Sequence, residues 1–500
     1  RARLVKFHWK PLLGVHSLVW DEAQKLAGKD PDFLRRDLWE SIERGDYPEW
    51  EFAIQTIEEA DELNFDFDPL DPTKLWPEQA VPVRRIGKLT LNRNPDNFFA
   101  ETEQVAFHPG HIVPGIDFSN DPLLQGRLFS YLDTQLTRLG GPNFAELPIN
   151  RSVAPVQNNQ RDGIMRHAIN RGQVSYGPNS LGGGCPMQAP QNMRGFVSYA
   201  ERVDAQKVRE RSESFGDHFS QAALFWNSQS DPEQEHIVLA FRFELGKVEH
   251  KAIRQHVVDL LTNVDEELAT RVAKGIGVPA PANGQAASAA NDRLEAGWEQ
   301  FGVTSRPTHR SPGEITRAPE LSMANTVKDT VKSRCIAVLA ADGFDGAQVT
   351  AITKALEAAG ARAEIVSTQL GAIRSADGQA LEPDKTLLTA GSIMYDAVFV
   401  PGGSQSVAAL IQEGDAIHFV NEAFRHGKAI AATGGGVDLL LASQAAGNGS
   451  NGRKSKKALS LPGVVAEREP SDLSDVAQQF VEAIAQHRSF TRQHKERVPA

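Results

Sequence analysis

Arg127 and Tyr131 stand four residues apart in the run Arg127-Leu128-Phe129-Ser130-Tyr131. On a helix that spacing puts both side chains on one face. The run has the marks of a helix: Asp121 suits an N-cap, Pro122 the first helical position, and Gly140-Gly141-Pro142 a stop. A free tyrosine keeps its proton up to about pH 10. A guanidinium beside it opposes phenolate charge and cannot itself deprotonate, so such a pair favours an anionic oxygen. That oxygen suits ferric iron, and tyrosine is among the proximal ligands that hold haem. Other residues invite chemistry with less support. Asp66, Asp68 and Asp71 suggest calcium, but Pro69, Pro72 and the missing glycine and distal glutamate spoil an EF-hand loop. Their spacing predicts capped turns instead. Gly182-Gly183-Gly184-Cys185 lacks the strand and the Lys-Ser/Thr helix of a phosphate loop, so it reads as a turn. Cys335 opens an apolar strand and reads as core.

The elements that must position these residues fall into five stretches. Residues 1–106 hold a strand at 4–9, helical spacing over 33–57 interrupted at Gly45-Asp46-Tyr47-Pro48, and a strand at 83–91. Residues 107–218 are mostly irregular around the capped helix. A loop segment this long is either functional or disordered, and its aromatic content speaks against disorder. Residues 219–278 show helical periodicity and read as a small bundle. Residues 279–330 turn rich in Ala, Pro, Gly and Ser, which predicts a linker. From 331 to 500, strands at 335–340, 362–367, 397–400 and 429–432 alternate with helices at 347–359 and 415–426. That succession predicts a doubly wound parallel sheet. The polar, basic stretch 448–457 reads as a solvated loop.

Five hundred residues allow two to four domains. The chain is 40% hydrophobic and 23% charged, an ordinary globular mixture. No run reaches the ~18 apolar residues of a membrane span, and no apolar leader opens the chain. A net charge of −11 argues against a broad nucleic-acid surface. Two cysteines are too few for a disulfide framework, so a cytoplasmic setting is expected. Arg1-Ala2-Arg3 runs at once into an alternating strand, and residue 1 is expected to be a cut through a domain.

The string Arg127-Leu128-Phe129-Ser130-Tyr131-Leu132-Asp133-Thr134-Gln135 resembles the proximal haem-ligand signature of haem catalases. Val5-Lys6-Phe7-His8-Trp9, Asn92-Arg93-Asn94-Pro95, Phe107-His108-Pro109-Gly110-His111, Gly141-Pro142-Asn143-Phe144 and Pro148-Ile149-Asn150-Arg151 resemble the same family. The likeness runs to about residue 275, and the whole organisation is similar to large-subunit catalases. It implies an α+β multidomain chain. Residues 1–106 would be the C-terminal part of an antiparallel catalase β-barrel, and 107–218 a wrapping segment with the proximal haem helix. A helical domain (219–278), a linker (279–330) and a doubly wound, flavodoxin-like or amidotransferase-like domain (331–500) would follow.

The resemblance also implies roles. Tyr131 would be the axial ligand of the haem iron and Arg127 its charge partner, while Phe107, Leu123 and Ser130 match haem-lining positions. His108 matches a histidine bonded covalently to the tyrosine in some members, often those with haem d, so haem b and haem d are both open. The implied reaction converts hydrogen peroxide to water and oxygen, protecting against oxidative stress, in a homotetramer without nucleic-acid or membrane partners. The family's distal histidine and asparagine belong to motifs upstream of the position matching Arg1. No catalytic residue of that kind is expected in 1–500; His8 belongs to a barrel strand, and His111 is read as structural. In the terminal domain, Tyr395-Asp396-Ala397-Val398-Phe399-Val400-Pro401-Gly402-Gly403 resembles the class I amidotransferase-like superfamily. Its cysteine nucleophile falls at Gly434, which has no side chain to attack with. Thr433 has no obvious base, and the upstream acid is at best Asp345. A structural or regulatory domain is expected. Three readings stay open for the chain: a catalase, a haem-binding fragment without turnover, and an interaction module.

Overall fold

The computed structural model describes residues 2–153, 161–174, 176, 178–181, 192, 195–201, 206, 208, 213–281, 315–446 and 461–500. The turn at 182–185, the basic loop at 448–457 and linker residues 282–314 lie outside them. The first strand, β1 (Arg3–Pro11), is followed by helices α1 (Trp20–Lys29) and α2 (Phe33–Arg44). Strands β2 (Glu49–Glu58) and β3 (Arg84–Thr90) complete an antiparallel sheet in the order β1-β2-β3. Phe7 lies opposite Ile54, and Trp50 opposite Leu89. The helical spacing expected through residue 57 is corrected here: it ends at Arg44, and 49–58 are strand. Ala53, Gln55 and Ile57 alternate as the buried positions of β2, a period of two carried by its aromatic and β-branched residues. One face of the sheet packs Ile57 against Phe67, Trp76 and Val81. The other leaves Val5, Phe7 and Trp9 exposed, with Trp9 stacked 4.3 Å from Phe52. The aspartates between β2 and β3 cap turns as expected: Asp68 accepts from Leu70 N–H at 2.8 Å, and Asp71 from Thr73 N–H at 2.9 Å.

Helix α3 (Pro122–Arg138) starts where its cap predicts, with the Asp121 carboxylate accepting from Leu123 and Leu124 N–H. Four helices form the bundle: α4 (Ser220–Ser228), α5 (Asp231–Gly246), α6 (Lys251–Leu261) and α7 (Glu266–Ile276). They enclose Val238, Val258, Leu268 and Val272. The linker expectation needs correction over 315–330, which docks on this bundle. Ala318 is buried, its N–H donates to Ser228 Oγ at 2.9 Å, and Ser322 and Met323 both donate to Glu233. Short 3-10 turns at Pro319–Leu321 and Met323–Asn325 carry no helical period, which is why the sequence looked featureless.

The terminal domain alternates β4 (Cys335–Leu339), α8 (Gly346–Ala358), β5 (Arg362–Ser367), β6 (Lys385–Thr386), β7 (Ala397–Val400), α9 (Ser404–Gln412) and α10 (Gly414–Arg425). It ends with β8 (Ala429–Thr433), α11 (Val437–Ala442), β9 (Val464–Glu467) and α12 (Leu473–Ala485). The sheet is parallel, in the order β9-β8-β7-β4-β5-β6. Its central strands are buried from end to end, because helices cover both faces. Ile336, Val338, Phe399 and Ala431 face α8 and α12, whereas Ala337, Leu339, Val398 and Val400 face α9, α10 and α11. Cys335 is core, as expected. Gly403, between β7 and α9, has φ +111°, and a Cβ there would overlap Gly343 O and Phe344 Cα. Gly403→Ala should cost about 2–3 kcal/mol through backbone strain and overpacking. The expected result is a lower urea midpoint for the transition that exposes β4 and β7. A loss under about 1 kcal/mol would mean the 343–344 loop moves aside.

Helix α1 leaves the first sheet and seats on the terminal domain. Glu22 is 0% exposed. Its carboxylate lies 2.7 Å from Lys428 Nζ and 3.0 Å from Arg488 Nη2. Asp21 lies 2.8 Å from His426 Nε2, and Lys25 bridges Asp21 and Glu422 at 3.0 Å each. Burial alone would raise the Glu22 carboxyl, but Lys428, Arg488 and His426 outweigh it and lower the pKa to about 2.

Candidate functional site

Leu123, Arg127, Tyr131 and Gln135 recur at four-residue spacing along α3 and so form one stripe. The Arg127 guanidinium donates to the Tyr131 phenol oxygen at 3.4 Å, with its carbon 5.0 Å from the ring centroid. Phe107 lies alongside, its ring 6.3 Å from that of Tyr131. Side chains of α3 hold it there. Gln135, the one buried residue of this helix, donates to Phe107 O at 3.0 Å. Arg138 donates to Glu103 O, Val105 O and Gln135 Oε1. Asn150 donates to Gln104 O and accepts from Ala106 N–H at 2.7 Å. Three side chains thus strap 103–107 along the helix.

The structure brings Tyr131, Arg127 and Phe107 together and keeps Leu123 on their stripe. Ser130 is exposed on the adjoining face. The His108 ring stacks on His111 at 4.6 Å, and its Nδ1 accepts from Gly110 N–H at 2.8 Å. Burial, with His111 beside it, pushes the His108 imidazole below its ordinary value. Although α3 is seventeen residues long, Leu123, Phe129, Leu132 and Leu136 stay exposed, and Phe107 is 68% exposed. Phe107 and Leu123 are exposed apolar side chains on the side of the phenol–guanidinium pair, and with it they fit a flat apolar cofactor whose metal takes a hard anionic oxygen. The donor set is therefore compatible with haem. Among the described residues no cluster of three or more His, Cys, Asp or Glu could hold a bare metal ion, and no helix is long and apolar enough to cross a membrane.

Family comparisons cover most of the chain. Residues 1–183 match the family described as Catalase, and 212–276 match Catalase-related immune-responsive. Residues 332–494 match the C-terminal domain found in long catalases. Catalase-2 of Bacillus subtilis is 50% identical over 492 residues, 98% of this chain and 66% of its own length. Catalase HPII of Pseudomonas putida is 50% identical over 504 residues, covering 100% of this chain and 65% of its own. Catalase-B of Dictyostelium discoideum is 43% identical over 508 residues, covering 100% of this chain and 68% of its own. The chain belongs to the long catalases. It spans slightly under two thirds of the first two of these relatives.

In this long catalase a run of three glycines, Gly434–Gly436, makes the turn after β8 in the terminal domain. Gly434 follows β8 with φ +58°, and a Cβ there would meet Gln348 Nε2 at 3.2 Å. Gln348, on α8, accepts from Gly402 N–H at 2.7 Å and from the Thr433 hydroxyl. The Asp345 carboxylate, the acid that the sequence reading allowed, is engaged by the helix that follows it. The carboxylate caps α8 by accepting from Gln348 N–H at 3.0 Å. A neutral amide therefore stands opposite Gly434, and Thr433 donates to it with no base beside it. Sequence reading missed Gln348, Gln135 and Arg138. Gln135 was within reach, since it is the next step of the 123–127–131 stripe. Gln348 was not, because only the fold brings α8 to the end of β8.

Proposed function

We propose that this long catalase chain carries the proximal half of a haem site, Tyr131 being the axial ligand of the iron, and that the protein decomposes hydrogen peroxide to water and oxygen. The observation that carries this reading is the Arg127–Tyr131 contact on a helix whose apolar side chains are left exposed. Haem, when bound, supplies the iron at which peroxide is split. Arg127 opposes negative charge on the phenol oxygen and so favours the ligating form. Phe107 and Leu123 would offer apolar surface to the haem, and Ser130 would line it. The strap made by Gln135, Arg138 and Asn150 holds Phe107 beside Tyr131. A cross-link from the next residue, His108, to Tyr131 is part of the same proposal, with haem b or haem d as its two outcomes. Assembly as a cytoplasmic homotetramer belongs to the same proposal. For association between copies, the support is the exposed apolar face of Val5, Phe7 and Trp9 on the first sheet.

Tyr131→Phe tests the assignment while keeping the ring packed. Haem occupancy, read from the Soret band per polypeptide, should fall, and the remaining spectrum should change. Wild-type occupancy with an unchanged iron spectrum would remove Tyr131 as ligand. Arg127→Leu should weaken ligation in the same direction, because the neutral phenol becomes the favoured form. If Tyr131→Phe binds no haem yet Arg127→Leu is spectrally identical to wild type, the tyrosine ligates without help from the arginine.

A further inference from the structure

The contact between α1, the bundle and the terminal domain gathers four histidines. His16, in the loop before α1, meets His487 edge-on with ring centroids 4.7 Å apart, and its Nε2 lies 3.1 Å from Val327 O. His426 follows α10, is 3% exposed, and its Nδ1 has no hydrogen-bond partner. His236 of α5 packs edge-on against Phe490 at 4.7 Å. These rings belong to different parts of the chain, so the seam holds only while all of them fit.

The charges already in the seam are balanced without the histidines. Asp21, Glu22 and Glu422 face Lys25, Lys428 and Arg488. Added protons meet further cations. His487 faces Arg488, Arg334 and His16; His16 faces Arg334, with Asp396 opposing; and His236 faces Lys495, with Glu233, Glu235 and Glu22 opposing. His426 has Asp21, Glu22 and Glu422 on one side and Lys428 on the other. Glu22 Oε1 is 3.8 Å from His426 Nδ1 but is already taken by Lys428 and Arg488.

We propose that this seam is an acid-released latch: it closes on neutral imidazoles, and proton uptake by its histidines frees the terminal domain from α1 and α5 while each part stays folded. The direction follows from the surroundings. Burial first, and neighbouring cations second, push His487 down to about 2 and His236 to about 4 from an ordinary 6.5. Burial likewise lowers His16 and His426. A group lowered in the docked state takes up protons preferentially when undocked. Its contribution to docking is therefore complete above pH 6.5 and is lost as pH falls below that value. For His236 and His487 together, acidification from pH 7.5 to 5.0 should weaken docking on the order of 10²–10³-fold.

Amide hydrogen exchange on the haem-loaded protein, corrected for the intrinsic pH dependence of exchange, reads this directly. Protection over residues 20–29 should fall by about 10²-fold or more between pH 7.5 and 5.0. Protection of β4, β7 and β8 should hold. The variant His16→Phe/His236→Phe keeps both ring contacts without a titrating nitrogen, and should lose at least about tenfold less protection at pH 5.0. If the double variant is already undocked at pH 7.5, His236→Phe alone gives the same comparison. Equal wild-type protection at both pH values overturns the latch. So does an undiminished acid loss in a variant docked at pH 7.5, or loss of protection in the sheet itself.

Discussion

A polypeptide limited to residues 1–500 and supplied with haem should evolve oxygen from peroxide about 10²–10⁴-fold more slowly per haem than a protein that also carries the distal histidine and asparagine of haem catalases. The factor is that expected for a positioned general acid–base. His8 is engaged within the first sheet, 2.8 Å from Gln55 Oε1, and the His108 and His111 rings stack on each other. The apolar face left open by Val5, Phe7 and Trp9 should also make the shorter polypeptide prone to aggregate. The comparison is therefore made per bound haem, from the Soret band, and on the monodisperse fraction alone. Equal turnover by the two proteins would mean that a residue within 1–500 performs the distal proton transfer.

Glu22→Gln should be the most damaging single substitution at the seam. It leaves Lys428 and Arg488, whose side chains are 1% and 3% exposed, without their shared counter-charge. Removing one partner of a buried ionic group typically costs about 3–5 kcal/mol. The free energy of opening measured on α1 amides by native-state hydrogen exchange at pH 7.5 should drop by that amount. A fall of less than about 1 kcal/mol would mean that water reaches the two cations in the closed seam. The pH dependence has a definite sign. With a folded value of about 2 against an ordinary 4.5, the Glu22 contribution is complete above pH 4.5 and disappears as pH falls through 2. The histidine contribution starts to be lost below pH 6.5 and the Glu22 contribution only below 4.5, so the interval from pH 6.5 to 4.5 reports the histidines alone.

How far the sequence reached depends on which interactions were local. The cap at Asp121, the four-residue step from Arg127 to Tyr131 and the apolar runs of β4, β5, β7 and β8 are properties of neighbouring residues, and the structure reproduces them within a residue or two. β2 was hidden because Trp50, Phe52, Ile54 and Ile57 extend the apolar spacing of α2 closely enough to pass for more helix. Only pairing with β1 and β3 settles their period. The seam at Glu22 was hidden for a different reason. A glutamate in the first turn of a helix is an ordinary capping residue, and here it does serve one, accepting from Val19 N–H at 3.2 Å. Nothing nearby announces that its other partners are Lys428 and Arg488.

Arg488 lies 466 residues beyond Glu22. A ribosome adding about 5–20 residues per second needs roughly 20–90 s to travel that far. Throughout that interval Glu22 lacks Arg488, one of the two cations that it holds in the closed seam. Any pause in translating the terminal domain prolongs that interval. The seam is thus a late checkpoint of biosynthesis: a chain released before Arg488 can bring α1 to the bundle, where Trp20 meets Phe243, yet its Glu22 cluster is incomplete.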